Sequence, residues 1–186
     1  MAIGLVIFGR QGAGKGTQCD FLIEHYGAIH ISTGDMLREA VAEGSELGVK
    51  ANEYLDVGEL VPDELIVQIV RERLGKTDVR TAGFLLDGFP RTVAQAAALW
   101  EVAADDIDVA VNLDVPIDEV KTRMLGRGRD DDTEEAIARR LELYEDQTVP
   151  AIEWIGAKGR LVTVDGVGEP REIAERLIAA VDAAMG

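Results

Sequence analysis

The sequence predicts an α/β fold built on a doubly wound, parallel, five-stranded sheet. Three observations lead to it. Five short runs, Ile3–Phe8, Ala28–Ile31, Phe84–Asp87, Val109–Leu113 and Leu161–Val164, are apolar almost without interruption. A half-exposed strand alternates polar and apolar residues, whereas a strand covered on both faces does not. The runs are separated by longer amphipathic stretches, and strand–helix alternation folds into parallel sheets through right-handed crossovers. The length of 186 residues, 47% of them apolar, suits a single domain with a sizeable core.

The elements follow in order. Ile3–Phe8 runs straight into glycines, and helical spacing begins at Lys15 and continues to His25. After Ala28–Ile31 come helical patterns over Asp35–Ala42, Leu47–Val57 and Pro62–Leu74, with no strand until Phe84. That stretch is too long for a simple crossover and reads as a helical insertion. Thr92–Trp100 and Pro116–Leu125 flank the fourth strand. Gly126-Arg127-Gly128-Arg129-Asp130-Asp131-Asp132 is too polar to bury and joins two strong helices, the second predicted as one continuous helix over Thr133–Ile155. Asp132 with Glu135 three places on reads as that helix's N-cap pattern. Pro170–Met185 closes the chain. No repeat, linker or low-complexity tract divides residues 1–186, so one domain is expected.

Composition excludes several classes. The 19 basic and 35 acidic residues give a net charge of -16, which opposes binding to nucleic acid. Cys19 is the single cysteine, so neither a disulfide framework nor a Cys-based zinc site is expected, and no zinc. Its place on a helix that packs on the sheet marks it as a small buried hydrophobe. His25 and His30 have no paired ligand spacing around them and read as structural. The N-terminus lacks a basic region before its apolar run and is a strand rather than a signal peptide. No apolar stretch approaches the ~18 residues of a membrane span. The cytoplasm is therefore the expected location.

The strongest motif is Gly9-Arg10-Gln11-Gly12-Ala13-Gly14-Lys15-Gly16-Thr17, lying between the first strand and the first helix. Glycines let successive backbone N–H groups turn toward one anion, and the helix start adds its dipole. Lys15 supplies a point charge for the β- and γ-phosphates. A glycine-rich turn with a surface lysine would explain the residues singly but not their strand–loop–helix setting. Gly16 follows Lys15 where the general pattern has a hydroxyl, and Thr17 comes one place later. A Mg²⁺ ion must then lean on phosphates, waters and a carboxylate elsewhere. Asp87, closing an apolar strand, is the candidate, because a carboxylate there is costly unless it serves a cation. The bland alternative is a helix or turn cap.

Four further segments narrow the choice: Ile31-Ser32-Thr33-Gly34-Asp35-Met36-Leu37-Arg38, Gly58-Glu59-Leu60-Val61-Pro62-Asp63, Leu86-Asp87-Gly88-Phe89-Pro90-Arg91 with Gln95, and Gly126-Arg127-Gly128-Arg129 with Arg140. In this order, with the Gly-Lys-Gly-Thr loop, they resemble the adenylate kinase family over essentially the whole chain. The resemblance implies a P-loop NTPase-type sheet with a helical AMP-binding insertion and a short ATP lid. The core would be 1–31, 62–125 and 137–186, the AMP lid 32–61 and the ATP lid 126–136. It implies ATP contacts at Gly12, Ala13, Gly14, Lys15, Gly16, Thr17, Arg127 and Gly168. AMP contacts are implied at Thr33, Arg38, Glu59, Leu60, Val61, Gly88, Phe89, Pro90, Arg91, Gln95, Arg129 and Arg140. Lys15, Arg91, Arg127, Arg129 and Arg140 would be catalytic, and Asp87 would hold Mg²⁺ through water. The activity implied is reversible, Mg²⁺-dependent phosphoryl transfer from ATP to AMP, giving two ADP, by a monomer. Gln11 stands where many relatives carry proline.

Chemistry agrees with the resemblance. Phosphoryl transfer asks for positioning and charge neutralisation rather than covalent help. This acidic chain nevertheless places Arg38, Arg91, Arg127, Arg129 and Arg140 in glycine-rich or lid contexts, and arginine grips phosphate with a planar fork. Any one of these arginines alone would more often be a surface ion-pair partner. Two rivals remain. A UMP/CMP kinase or a GTP-using kinase would share most of the motifs, though Gln95 and Ser32-Thr33-Gly34-Asp35 favour AMP. A P-loop switch would carry an Asn-Lys-x-Asp guanine reader, and Val111-Asn112-Leu113-Asp114 has no lysine at that place.

Overall fold

The computed structural model describes residues 2–126 and 133–186. Five parallel strands, β1 (Ile3–Phe8), β2 (Ile29–Ser32), β3 (Gly83–Asp87), β4 (Val109–Asp114) and β5 (Leu161–Asp165), form one sheet in the order β2-β3-β1-β4-β5. β1 is central, with Ile7 in register with Asp87 on one side and Val111 on the other. The sequence therefore switches direction at β1, and its neighbours lead away on both sides. A crevice opens at the carboxyl ends of the strands at such a point.

Both faces of β1 are covered, which is why it is apolar throughout. Leu5 and Ile7 join Leu22, Leu177 and Val181 in one core. Val6 and Phe8 join Leu99, Ile152 and Ile155 in the other. The first face is closed by α1 (Lys15–Tyr26) and α10 (Pro170–Met185). The second is closed by α4 (Asp63–Leu74), α6 (Val93–Ala103) and α9 (Val149–Gly156). Between β2 and α4 the chain forms α2 (Thr33–Ala42) and α3 (Glu46–Leu55), the helical insertion expected from the missing strand.

Three predicted features differ. The continuous helix over Thr133–Ile155 is interrupted: α8 (Glu134–Leu143) passes through a π-helical turn, Tyr144–Thr148, before α9. Pro150 lacks an N–H and its ring crowds the carbonyl four residues back, so the turn widens there. The cap of α8 lies one residue later than expected, with Thr133 accepting from the Ala136 N–H at 3.1 Å. Asp132 lies outside the described residues. A short helix, α5 (Thr77–Ala82), precedes β3 and had too few residues to show a period. The remaining helix is α7 (Ile117–Gly126), which leads into the polar segment. None of the described helices is long and apolar enough to cross a membrane.

Candidate active site

The crevice at the end of β1 is a cleft of about 520 Å³, and the glycine loop forms its floor. Gly14 caps α1 with a left-handed backbone and no side-chain hydrogen bond, and the first turn of α1 carries no acidic residue. The leading N–H groups of α1 are thus left for an anion rather than satisfied internally. Gly12 shows how tightly the loop is held: its φ is +86°, and a Cβ would come within 2.7 Å of Met124 Cγ and 2.8 Å of the Val120 carbonyl on α7. A side chain there would push the loop off its support.

Arginines brace the same loop from below. Arg10 donates to Glu145 (Nε–Oε1 2.9 Å) and to Asp114 and the Val115 carbonyl (both 3.2 Å), and lies over the Tyr144 ring. These contacts tie the loop to β4 and to the π-helical turn. Burial and the Arg10 charge act in opposite senses on the Tyr144 hydroxyl; burial wins and pushes its pKa up to about 12. Lys15 folds over the loop, its ammonium donating to the Gly9 (2.8 Å) and Arg10 (3.2 Å) carbonyls. Gly14, Gly16 and Thr17 line the cleft beside it, while Ala13 is buried beneath.

A second wall comes from β2, β3 and α6. Ser32 caps α2 by accepting from the Asp35 N–H (3.3 Å), and Arg38 on α2 pairs with Asp35. Buried Thr33 donates to the Asp87 carbonyl at 3.4 Å. Arg91 is fixed from three directions. Its Nε donates to the Gly88 carbonyl (2.7 Å), its N–H donates to Gln95 Oε1 (2.7 Å), and its carbonyl accepts from Thr148 (3.0 Å). Burial lowers the Arg91 pKa; Asp87 pulls it back up, and the neighbouring positive charges of Arg140 and Arg38 press it down further. Arg91 therefore sits buried with two other guanidinium groups beside it, a local excess of positive charge that suits an anion.

Gln95 is buried, and its amide is partly engaged: Nε2 donates to Asp63 (2.6 Å) and Oε1 accepts from Arg91. One N–H and one oxygen lone pair are left over. Gln95 and Thr33 line a smaller recess that opens off the cleft, together with Glu59, Leu60, Val61, Gly88 and Arg140. Phe89 and Pro90 line the main cleft. Arg140, on α8, donates to the Leu55 carbonyl at 3.2 Å.

The expected residues are therefore gathered at one place from five stretches of chain, with two exceptions. Gly168, on the loop between β5 and α10, does not line the cleft. Arg127 and Arg129 lie outside the described residues. Arg123 on α7 went unnoticed in the sequence, yet it lines the cleft, pairs with Glu119 and donates to the Ala13 carbonyl at 3.1 Å. Its only signal was an i, i+4 pairing with Glu119, which reads as an ordinary surface pair.

A family model described as adenylate kinase matches residues 7–160. The chain belongs to the adenylate kinase family. An adenylate kinase of Leptospira biflexa is 45% identical over 184 residues, covering 95% of this chain and 98% of its own. Adenylate kinase 1 of a Nostoc species is 47% identical over 176 residues, covering 93% and 95%. The enzyme of Mycobacteroides abscessus is 46% identical over 175 residues, covering 92% and 95%. Family membership makes the chain a phosphotransferase with adenylate kinase function.

Proposed function

We propose that this cleft transfers a phosphoryl group reversibly between ATP and AMP, giving two ADP and balancing the adenine nucleotides of the cytoplasm. The observation that carries the reading is the convergence of Arg38, Arg91 and Arg140 beside an uncapped helix start. Two separate anion sites share one cavity, as a donor and an acceptor phosphate require.

The ATP phosphates lie on Gly12, Ala13, Gly14, Lys15, Gly16 and Thr17, with Arg127 and Gly168 serving the donor nucleotide. AMP lies in the recess of Thr33, Glu59, Leu60, Val61, Gly88, Phe89, Pro90 and Gln95, its phosphate held by Arg38 and Arg91. Gln95 uses its remaining N–H and lone pair on the adenine edge. Lys15, Arg91, Arg127, Arg129 and Arg140 neutralise the charge that spreads over the transferring group as an AMP phosphate oxygen attacks the γ-phosphorus and the β–γ bridging bond breaks. Lys15 leaves its two carbonyl partners for phosphate oxygens when ATP enters.

Mg²⁺ neutralises and orients the donor phosphates. Asp87 suits a hydrated Mg²⁺: it lines the cleft, and its Oδ1 is buried without a hydrogen-bond partner. No structural zinc belongs to this form, whose ATP lid is the short segment 126–136. The AMP lid is 32–61, and the core comprises 1–31, 62–125 and 137–186. Each chain holds a complete site and works as a monomer, without nucleic acid or membrane. A coupled assay for ADP formation from ATP, AMP and Mg²⁺ tests the reading. Equal or greater turnover with UMP, CMP or GTP in place of either substrate would overturn it.

A further inference from the structure

The structure brings together three side chains that the sequence keeps apart. Cys19 on α1, His30 on β2 and Asp87 on β3 place Sγ, an imidazole nitrogen and a carboxylate oxygen all within 4.8 Å of one another. The sequence spacing around Cys19 and His30 gave no sign of this grouping. The chain separations of eleven and fifty-seven residues gave no motif, because the pairing of β2 with β3 and the packing of α1 on the sheet create the group.

Two of the three donors are short of partners. His30 Nε2 and Asp87 Oδ1 are buried without a hydrogen bond, and Nε2 stands 3.9 Å from Asp87 Oδ2, beyond hydrogen-bond reach. Buried polar atoms are seldom left this way. Cys19 is fully buried, while Asp87 faces the cleft, so the group has a closed back and one open side. Donors on a tetrahedral zinc-sized ion sit roughly 3.3–3.6 Å apart, so each must move in by about 1 Å or less, within reach of side-chain torsions.

We propose that Cys19, His30 and Asp87 form a binding site for a thiophilic divalent cation such as Zn²⁺, entered through the nucleotide cleft, and that its occupation inhibits the enzyme. Sulfur and imidazole select zinc-like ions over Mg²⁺, which prefers oxygen alone. The fourth position, on the cleft side, takes a water or a phosphate oxygen. Binding releases the thiol proton to solvent as the S–metal bond forms. Asp87 is then withdrawn from the Mg²⁺-bound nucleotide, and turnover falls. The inhibitory step rests on the role proposed for Asp87; the binding step does not.

Co²⁺ titration of the nucleotide-free protein reads binding directly. The wild-type chain develops a thiolate-to-cobalt charge-transfer band with tetrahedral d–d absorption, saturating at one ion per chain. Cys19→Ala abolishes the charge-transfer band, and His30→Gln weakens cobalt affinity about tenfold or more. Both variants keep Mg²⁺-supported turnover, and both need about tenfold or more additional Zn²⁺ for half-inhibition. The site is overturned if the wild-type chain gives no charge-transfer band, if His30→Gln leaves the affinity unchanged, or if Zn²⁺ inhibits all three chains equally by acting on the nucleotide. A normal band with turnover untouched by saturating Zn²⁺ leaves binding established and overturns the inhibition together with the assignment of Asp87 to Mg²⁺.

Discussion

At the scale of single residues the cleft separates charge from geometry. Lys15 is a charge: its ammonium donates to two loop carbonyls at the edge of the cleft, and its proposed role is to bring that charge to phosphate. Lys15→Met keeps most of the stem and removes the charge, so kcat falls on the order of 10²-fold or more while the fold stands. Steady-state turnover alongside a circular dichroism melt checks this, and near-wild-type turnover in a folded variant refutes the role. Gln95 is geometry. Its amide holds the Arg91 N–H and Asp63 at once, so Gln95→Ala unpairs two inward-facing groups as well as its proposed adenine contact. Leaving such groups unpaired costs about 1–3 kcal/mol. The KM for AMP rises about tenfold, more than that for ATP, and stability falls with it; an equal rise for both nucleotides would show that Gln95 only supports structure. Lys15 was legible in the sequence because its partners are contiguous with it. Arg123 and the Cys19–His30–Asp87 group were not, because their partners are supplied by packing across the sheet and the P-loop.

Among elements, the contact that matters most is between the helical insertion and α8. Gly58 runs so close to α8 that a Cβ would lie 2.7 Å from the Ala136 carbonyl. Arg139 on α8 bonds Glu59 at 2.6 Å, and Arg140 bonds the Leu55 carbonyl. The recess behind them holds only about 60 Å³, less than a nucleoside fills, so the proposed AMP site requires these contacts to part. The Arg139–Glu59 pair is half-exposed and contributes up to about 1 kcal/mol. Arg139→Met therefore raises the ratio of open to closed insertion roughly two- to fivefold. Dyes on cysteines replacing exposed Lys50 and Glu135, in a Cys19→Ala background, report the distance; an unchanged distribution would show that the pair is no latch. The insertion was visible in the sequence as a gap without a strand. The break between α8 and α9 was not, since the apolar period runs on through Tyr144–Thr148 and only Pro150 hinted at it.

For the whole molecule, the net charge of -16 contrasts with the arginines that converge on one cleft. Burial is the main cause of the lowered Arg91 pKa, and the positive charges of Arg140 and Arg38 nearby add to it. Arg127 and Arg129 belong to the segment joining α7 to α8, and both helices border the cleft. Two adenosines joined through five phosphates would fill both anion sites at once. Such a mimic turns mutual repulsion into shared attraction and draws the insertion, the arginine segment and the core onto one phosphate chain. Because it binds only the folded form, it stabilises the chain by about 2.7 kcal/mol at a hundredfold excess over its Kd. For a chain of this size that is a rise in Tm of about 5–11 °C. AMP alone, filling one site, cannot engage the glycine loop, so at the same multiple of its own Kd it gives the same rise without compacting the arginine segment. Small-angle scattering separates the two ligands: the mimic shrinks the radius of gyration, and AMP shrinks it less. Equal scattering with both ligands, or a mimic-bound dimer in which a second chain supplies an arginine, would refute the two-site mechanism.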